Sequence, residues 1–392
     1  MTEINSTRSY AHSLFLEQGG PVMSRRILFF LILISITATA AFGQKPTPTP
    51  KATPDDEVIK VSSRLVVVPV SVTDASGNPV TGLTDKDFRI SEEGRQQTLE
   101  SFGTAGRVPL DIALLFDVSS STDKMFQFEL DTAAKFLRDV MKQGDHATVF
   151  TIGEKPVIVQ ARDDADKAVA AIGTIKPASS LTLTAFYDSI DGAAQYLRRN
   201  APDGTRRVIL VISDGEDTNS AHIAKAIQDG YQKLGTRINT IDNKTLYQLT
   251  VANRDAANVA ERSRVLKVLQ DADTVFYAIN PAGSSFQLNK ISVSGQQNMQ
   301  MFADDTGGTA FLPKFQPSDT KDRYQNDNNA RANTLALDTI FKKLSNELRA
   351  QYLVQYYSES EYPANKYIKV DVGIPTHPGV KVRAREGYYV KP

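Results

Sequence analysis

Hydrophobic and polar positions along the chain fall into two regimes. The run Leu65-Val66-Val67-Val68-Pro69-Val70-Ser71-Val72 is apolar and β-branched, and the turn-forming stretch Asp74-Ala75-Ser76-Gly77-Asn78 closes it, the pattern of a strand. Shorter strands are expected around Phe88 to Ser91 and Gln97 to Phe102, with Glu93-Gly94 turning between them. So few strands bury both faces of a sandwich poorly. Matching segments recur at the far end, at Gln351 to Tyr357, Tyr367 to Val372 and Val380 to Val390. We therefore expect the two ends of the chain to build one small β-sandwich together, since domain termini often lie close.

Between these ends the period changes. Asp111 to Asp117 is a continuous apolar strand, after which Phe126, Leu130, Ala133, Leu137 and Val140 recur at helical spacing. Strands are predicted at His146 to Ile152, Arg207 to Ser213, Val275 to Ile279 and Thr309 to Leu312, and helices near Asp163 to Ile172, Ala185 to Arg199 and Leu335 to Ala350. Apolar strands alternating with amphipathic helices indicate a sheet covered on both faces. The predicted fold is α/β: a doubly wound, mostly parallel six-stranded, Rossmann-like sheet, five of whose strands are assigned here, flanked by the small β-sandwich of N- and C-terminal strands. Two segments break the rhythm. Asn219 to about Arg262 is too long for a connection and helix-permissive, and reads as a helical insertion. Ser318 to Asn333 is very polar and reads as a mobile loop.

The first 43 residues contain Arg25-Arg26, an apolar run from Ile27 to Ile36 and a small-residue stretch ending at Ala41-Phe42-Gly43. This is the layout of a secretory signal peptide cut before Gln44, with Met23 the expected initiator. The apolar run is short of the roughly 20 residues a spanning helix needs. A Pro-rich linker (44–57), an N-terminal β segment (58–106), the α/β domain (107–350) and a C-terminal β segment (351–392) are expected to follow.

Charge and composition mostly exclude. Lys+Arg and Asp+Glu balance at 45 each, so no bulk charge favours nucleic acid or an anionic membrane. The chain has no cysteine, which removes disulfides, thiolate metal sites and a cysteine nucleophile. Its four histidines are scattered, without an i, i+4 pair, against a zinc site.

In a parallel sheet, ligands bind beyond the carboxyl ends of the strands. One predicted strand ends in Asp117-Val118-Ser119-Ser120-Ser121 and another in Ser213-Asp214-Gly215, while Thr184 opens the helix at Ala185. These are hard oxygen donors. Mg²⁺ favours octahedral oxygen coordination: Ser119 and Ser121 can bind through their hydroxyls, Asp117 and Asp214 supply charge, and Thr184 adds an oxygen. One position is left for a water or an acidic group of a partner. Asp117-x-Ser119-x-Ser121, then Thr184, then Asp214, in the contexts Phe116-Asp117-Val118-Ser119, Thr184-Ala185-Phe186-Tyr187-Asp188 and Ile212-Ser213-Asp214-Gly215, resembles the metal-ion-dependent adhesion site of von Willebrand factor type A domains. With Asp87-Phe88, Asp305-Thr306-Gly307-Gly308, Gln351-Tyr352 and Val382 to Tyr389, the chain also resembles the type A-related proteins of acidobacteria. The resemblance implies a bound divalent cation, Mg²⁺ with Mn²⁺ or Ca²⁺ as alternatives, completed by an Asp or Glu carboxylate of a protein ligand. The chain departs from the family in having Thr182-Leu183 where a Gly pair often precedes the threonine, and in its long insertion after Asp214.

Simpler readings stand beside this one. Asp117, the serines and Thr184 can cap the helices that follow them, and Asp214-Gly215 can be a plain turn. Glu216 and Asp217 read as solvated acids, and Asp188 as a helix-surface or supporting group. Catalysis is not expected. A phosphotransferase using Asp117 needs a second carboxylate at the position held by Ser119, and neither a Gly-x-Ser-x-Gly elbow nor a Gly-x-x-x-x-Gly-Lys loop occurs. The expected function is an exported, cation-dependent protein-binding or adhesion module, secreted or periplasmic. The alternative is a structural envelope protein with the same fold and no metal-dependent activity.

Overall fold

The computed structural model describes residues 64–104, 106, 108–119, 123–178, 183–281, 290–316 and 320–390, with the backbone alone for 123–125, 290 and 291. The expected signal peptide, the Pro-rich linker and Ser121 lie outside these residues. Lys60–Pro392 forms one compact unit.

The chain opens with β1 (Arg64–Thr73), β2 (Arg89–Glu92), β3 (Arg95–Gln97) and β4 (Leu99–Thr104). Glu93 and Gly94 both adopt positive φ, 49° and 77°, as a two-residue hairpin turn between β2 and β3 requires. The segment from Gln97 onward, expected as one strand, is not a single strand. It divides, β3 pairing with β2 and β4 with a strand from the other end of the chain.

The α/β region follows as β5 (Leu110–Asp117), α1 (Asp123–Val140), β6 (His146–Ile152), β7 (Val157–Asp163), α2 (Ala165–Ile172), α3 (Phe186–Asn200), β8 (Arg206–Ile212), α4 (Ala221–Leu234), α5 (Asn243–Asp271), β9 (Thr274–Ile279), α6 (Lys290–Thr306), β10 (Ala310–Phe311) and α7 (Arg323–Ala350). The six strands run in the order β10-β9-β8-β5-β6-β7, parallel except for the β6–β7 pair. The sheet is doubly wound. Ile112, Leu114 and Phe116 of β5 pack with α1 and α7 on one face, while Ala113 and Leu115 pack with α3, α5 and α6 on the other. Burial on both faces explains why β5 reads as an unbroken apolar run. Its one charged interior residue, Asp111, is neutralised by Arg162 of β7, Nε to Oδ1 at 2.5 Å.

Three elements differ from the sequence expectation. The antiparallel edge strand β7 goes unread: its apolar start is only Val157-Ile158-Val159, and Gln160, Arg162 and Asp163 follow. α6 also goes unread; among the described residues its large buried hydrophobic side chains, Met299 and Phe302, lie in its second half. The polar stretch expected to be a mobile loop instead provides the first turns of α7. Asp322 caps the helix by accepting from the backbone N–H of Tyr324 (2.9 Å) and Gln325 (3.2 Å), and Asn333 bonds both N–H and C=O of Gln316. Its polarity reflects a solvated helix face.

The last strands, β11 (Tyr352–Ser358), β12 (Tyr367–Gly373), β13 (Lys381–Ala384) and β14 (Gly387–Tyr389), complete two antiparallel sheets of order β13-β1-β11-β4 and β14-β12-β2-β3. Each sheet takes strands from both ends of the chain. Val66, Val68, Val70, Ile90, Val354, Ile368 and Val370 fill the space between them. At the end of β2 the buried Glu92 accepts hydroxyl bonds from Tyr356 (2.7 Å), Ser358 (2.7 Å) and Tyr388 (2.9 Å), so its oxygens are met from both sheets.

Candidate metal site

The site is assembled at the carboxyl ends of β5 and β8, which are neighbours in the sheet. Their register pairs Phe116 with Ile212, so the next residues, Asp117 and Ser213, meet. Asp117 Oδ1 accepts from the backbone N–H of Ser119 (3.0 Å) and from its hydroxyl (2.6 Å), and Oδ2 accepts from the Ser213 hydroxyl (2.7 Å). These bonds fix the carboxylate within its own turn, well before α1 begins at Asp123.

Asp214 follows Ser213. Its Oδ1 accepts from the N–H of Glu216 (3.0 Å), and Gly215 turns at φ 78°, so the turn reading of Asp214-Gly215 is also realised. The turn is fixed from outside by α6. A Cβ on Gly215 would lie 2.6 Å from the Gly295 carbonyl oxygen, and the Ser292 hydroxyl donates to Glu216. Only glycine combines this approach with a left-handed backbone.

Thr184 reaches the same rim through its backbone. Its carbonyl accepts from the N–H of Thr218 (2.9 Å) and Asn219 (3.0 Å), and its N–H donates to the Thr218 hydroxyl (2.8 Å). Thr184 does not cap α3. The N-cap residue is Ala185, without a side-chain bond, and the first-turn N–H groups of Tyr187 and Asp188 go to Asp217 Oδ2 (2.9 Å) and the Ser220 hydroxyl (3.1 Å). Asp217 also accepts from Ser220, at its N–H and its hydroxyl. Thus the loop after β8 carries Asp214 and stitches the Thr184 segment to it. Asp217, read from sequence as a solvated acid, is 4% exposed and serves this purpose. Asp188, in turn, accepts from the N–H of Ala221 at the start of α4 (2.8 Å).

Ser119, Thr184 and Ser213 are buried, with Asp117 and Asp214 partly so. Burial holds the Asp117 acid above the ordinary carboxylate range against the bonds from Ser119 and Ser213, and the Glu216 charge adds to the rise. Burial, joined by the charges of Asp117 and Glu216, pushes Asp214 up to about 6. On α1 the buried Glu129 is pushed to about 8, by burial first and by the Asp117 charge second. Acids crowded into a low-dielectric site without a matching cation bind protons for this reason, and a divalent ion would relieve the same crowding. The donor types suit such an ion: the charges of Asp117 and Asp214 are felt by one another, the Ser119 hydroxyl lies on Asp117, and the Thr184 segment is tied to the loop that carries Asp214. Among the described residues no three His, Cys, Asp or Glu side chains group to hold an ion, so a site here depends on the hydroxyls. Glu129, Ser213 and Asp217 were not singled out as site residues from sequence. Only Ser213 carried a local signal, as the polar residue that ends the β8 run.

The von Willebrand factor type A domain profile matches residues 112–216, a span that contains all five candidate ligands. No curated protein matches the chain. Among solved structures, similarity extends to proximal thread matrix protein 1 of the mussel byssus with a zinc-occupied MIDAS motif, at 12% identity and TM-score 0.38, covering 66% of this chain and 50% of that one. The chain thus spans about half the length of the byssus protein. Similarity also extends to BatB from Bacteroides thetaiotaomicron (13% identity, TM-score 0.34, covering 61% and 98%). A third is the PilB minor pilin from Streptococcus sanguinis (12%, 0.40, covering 65% and 64%).

Proposed function

We propose that this chain is an exported module of the acidobacterial type A-related kind, which captures a protein partner through a divalent cation and catalyses no reaction. Asp117, Ser119, Ser121, Thr184 and Asp214 would hold the ion. The place of Ser121, outside the described residues, follows from the Asp-x-Ser-x-Ser spacing. The observation that carries the reading is the pair Asp117 and Asp214, desolvated at the ends of adjacent strands, with acidic neighbours adding to their charge inside the segment that matches a type A domain. Mg²⁺ suits the hard oxygen set, with Mn²⁺ or Ca²⁺ as substitutes. When bound, the ion supplies a Lewis-acidic position that an Asp or Glu carboxylate of the partner fills. The protein's own residues set its orientation: Ser119 and Ser213 hold Asp117, and the Thr218 and Asp217 contacts keep the Thr184 and Asp214 segments together. Export rests on the apolar run from Ile27 to Ile36 and its flanks. Among the described residues, no helix is long and apolar enough to cross a membrane.

Titration calorimetry with Mn²⁺ tests the site. One equivalent should bind, and Asp117→Ala should weaken binding by at least about 100-fold, the upper end of what losing a mere support of a ligand costs, with the circular dichroism spectrum unchanged. Equal Mn²⁺ affinity in Asp117→Ala would overturn the reading and leave a structural envelope role.

A further inference from the structure

We infer that Ser213, outside the proposed ligand set, is the positioning residue of this site, one hydroxyl that fixes Asp117 and the Asp214 turn together. The inference rests on the cation-site reading above. The Ser213 side chain lies where the register of β5 and β8 brings it against Asp117, and the residue is 1% exposed. Its Oγ accepts from the N–H of Gly215 at 3.0 Å and donates to Asp117 Oδ2 at 2.7 Å. Both roles are directional. A hydroxyl has one proton and two lone pairs, and the Gly215 N–H approaching a lone pair leaves the proton for the carboxylate.

The consequences reach both acids. Asp117 is gripped at Oδ1 by Ser119 from its own turn and at Oδ2 by Ser213 from the neighbouring strand, which removes free rotation of the carboxylate. Gly215 is gripped through its N–H by Ser213 and, on its other side, abuts Gly295 of α6, so the turn that presents Asp214 has little freedom. The Ser213 backbone N–H is itself tied to the Ile279 carbonyl at 3.2 Å at the end of β9. Three adjacent strands therefore converge on this one residue. Because it is enclosed, water cannot readily substitute for the hydroxyl, and its loss leaves an unmet N–H and a freed carboxylate oxygen.

The test uses the full chain, Mn²⁺ alone as probe, and two substitutions matched in shape. Ser213→Thr keeps a hydroxyl; Ser213→Val replaces it with a methyl group. Calorimetric Mn²⁺ affinity should stay within about threefold for Ser213→Thr and fall on the order of 10–100-fold for Ser213→Val, the usual range when support of a metal ligand is removed. Melting temperatures in chelator should show both variants folded. If Ser213→Val binds Mn²⁺ as the unsubstituted chain does while Asp117→Ala does not, the positioning role is overturned and the site stands. If Asp117→Ala also binds fully, both fall. If Ser213→Val fails to fold in chelator while Ser213→Thr folds, the hydroxyl serves the fold rather than the site, and the inference is overturned as well.

Discussion

Glu129 shows how a single acid can report on the whole site. It is 3% exposed, and burial together with the Asp117 charge sets its carboxyl at about 8 against an ordinary 4.5. The folded state therefore binds a proton that the unfolded chain has released between about pH 4.5 and 8. Stability from this group is greatest at low pH, falls as pH rises through that window, and is fully lost above it. With chelator present, Glu129→Gln should leave stability at pH 4 nearly unchanged and raise it above pH 8 by roughly 2–4 kcal/mol, after discounting the shift at about 1.4 kcal/mol per unit. Urea denaturation at the two pH values measures this, and equal gains at both would contradict it. Sequence could place Asp117 and Asp214 at strand ends, because a polar residue that stops an apolar run is visible locally. It could not show that Asp217 is buried or that Glu129 faces an acid. Those facts depend on which surface each helix and loop lies against.

At the scale of elements, period and capping were legible to different degrees. β5, β6, β8 and β9 stand out as apolar runs because both of their faces are covered. α7 shows the opposite case. Its first three turns are polar because they face solvent, and the helix is begun by Asp322 rather than by an apolar stripe. Replacing this cap should cost about 1 kcal/mol. Asp322→Ala is expected to speed amide hydrogen exchange in residues 324–334 while Leu337 to Leu348, which pack in the core, stay protected. Uniform acceleration along α7 would refute local fraying. The insertion after Asp214 behaves in yet another way. α5 is long, but only its second half, with Val265, Leu266 and Leu269, reaches the core, and Tyr247 in its first half is 69% exposed.

For the whole molecule, the sandwich and the α/β region share a polar seam. Arg206 at the foot of β8 donates to the Leu348 carbonyl and to Gln351, which in turn donates to the Tyr277 hydroxyl at 2.9 Å. Arg383 of β13 donates to the Gly308 carbonyl at 2.7 Å. A Cβ on Gly307 would lie 2.9 Å from the Arg385 backbone nitrogen, so this glycine permits the approach. The buried part of this seam, Arg206 with Gln351 and Tyr277, is costly to break because each group loses its partner in a low dielectric. The segment Leu110 to Ala350, expressed alone, should be less stable than the full chain by roughly 3 kcal/mol, a fall of about 6–12 °C in melting temperature. Calorimetry giving equal melting temperatures would show the seam to be weak. A protease cut placed between Gly103 and Pro109 should leave the two β segments associated, because β1 and β4 both pair with β11; separation on gel filtration would refute this.

The order of apolar runs and helical periods by itself determined the α/β class, the covered parallel sheet and the return of the C-terminal strands to the N-terminal ones. These follow from burial, which leaves its period in the residues themselves. The joining of β5 to β8, the meeting of Asp117 with Ser213 and the stitching of Thr184 to the loop after Asp214 were decided only by the tertiary structure. Such contacts link residues far apart along the chain, and strand register and loop packing leave no periodic trace that a linear reading can detect.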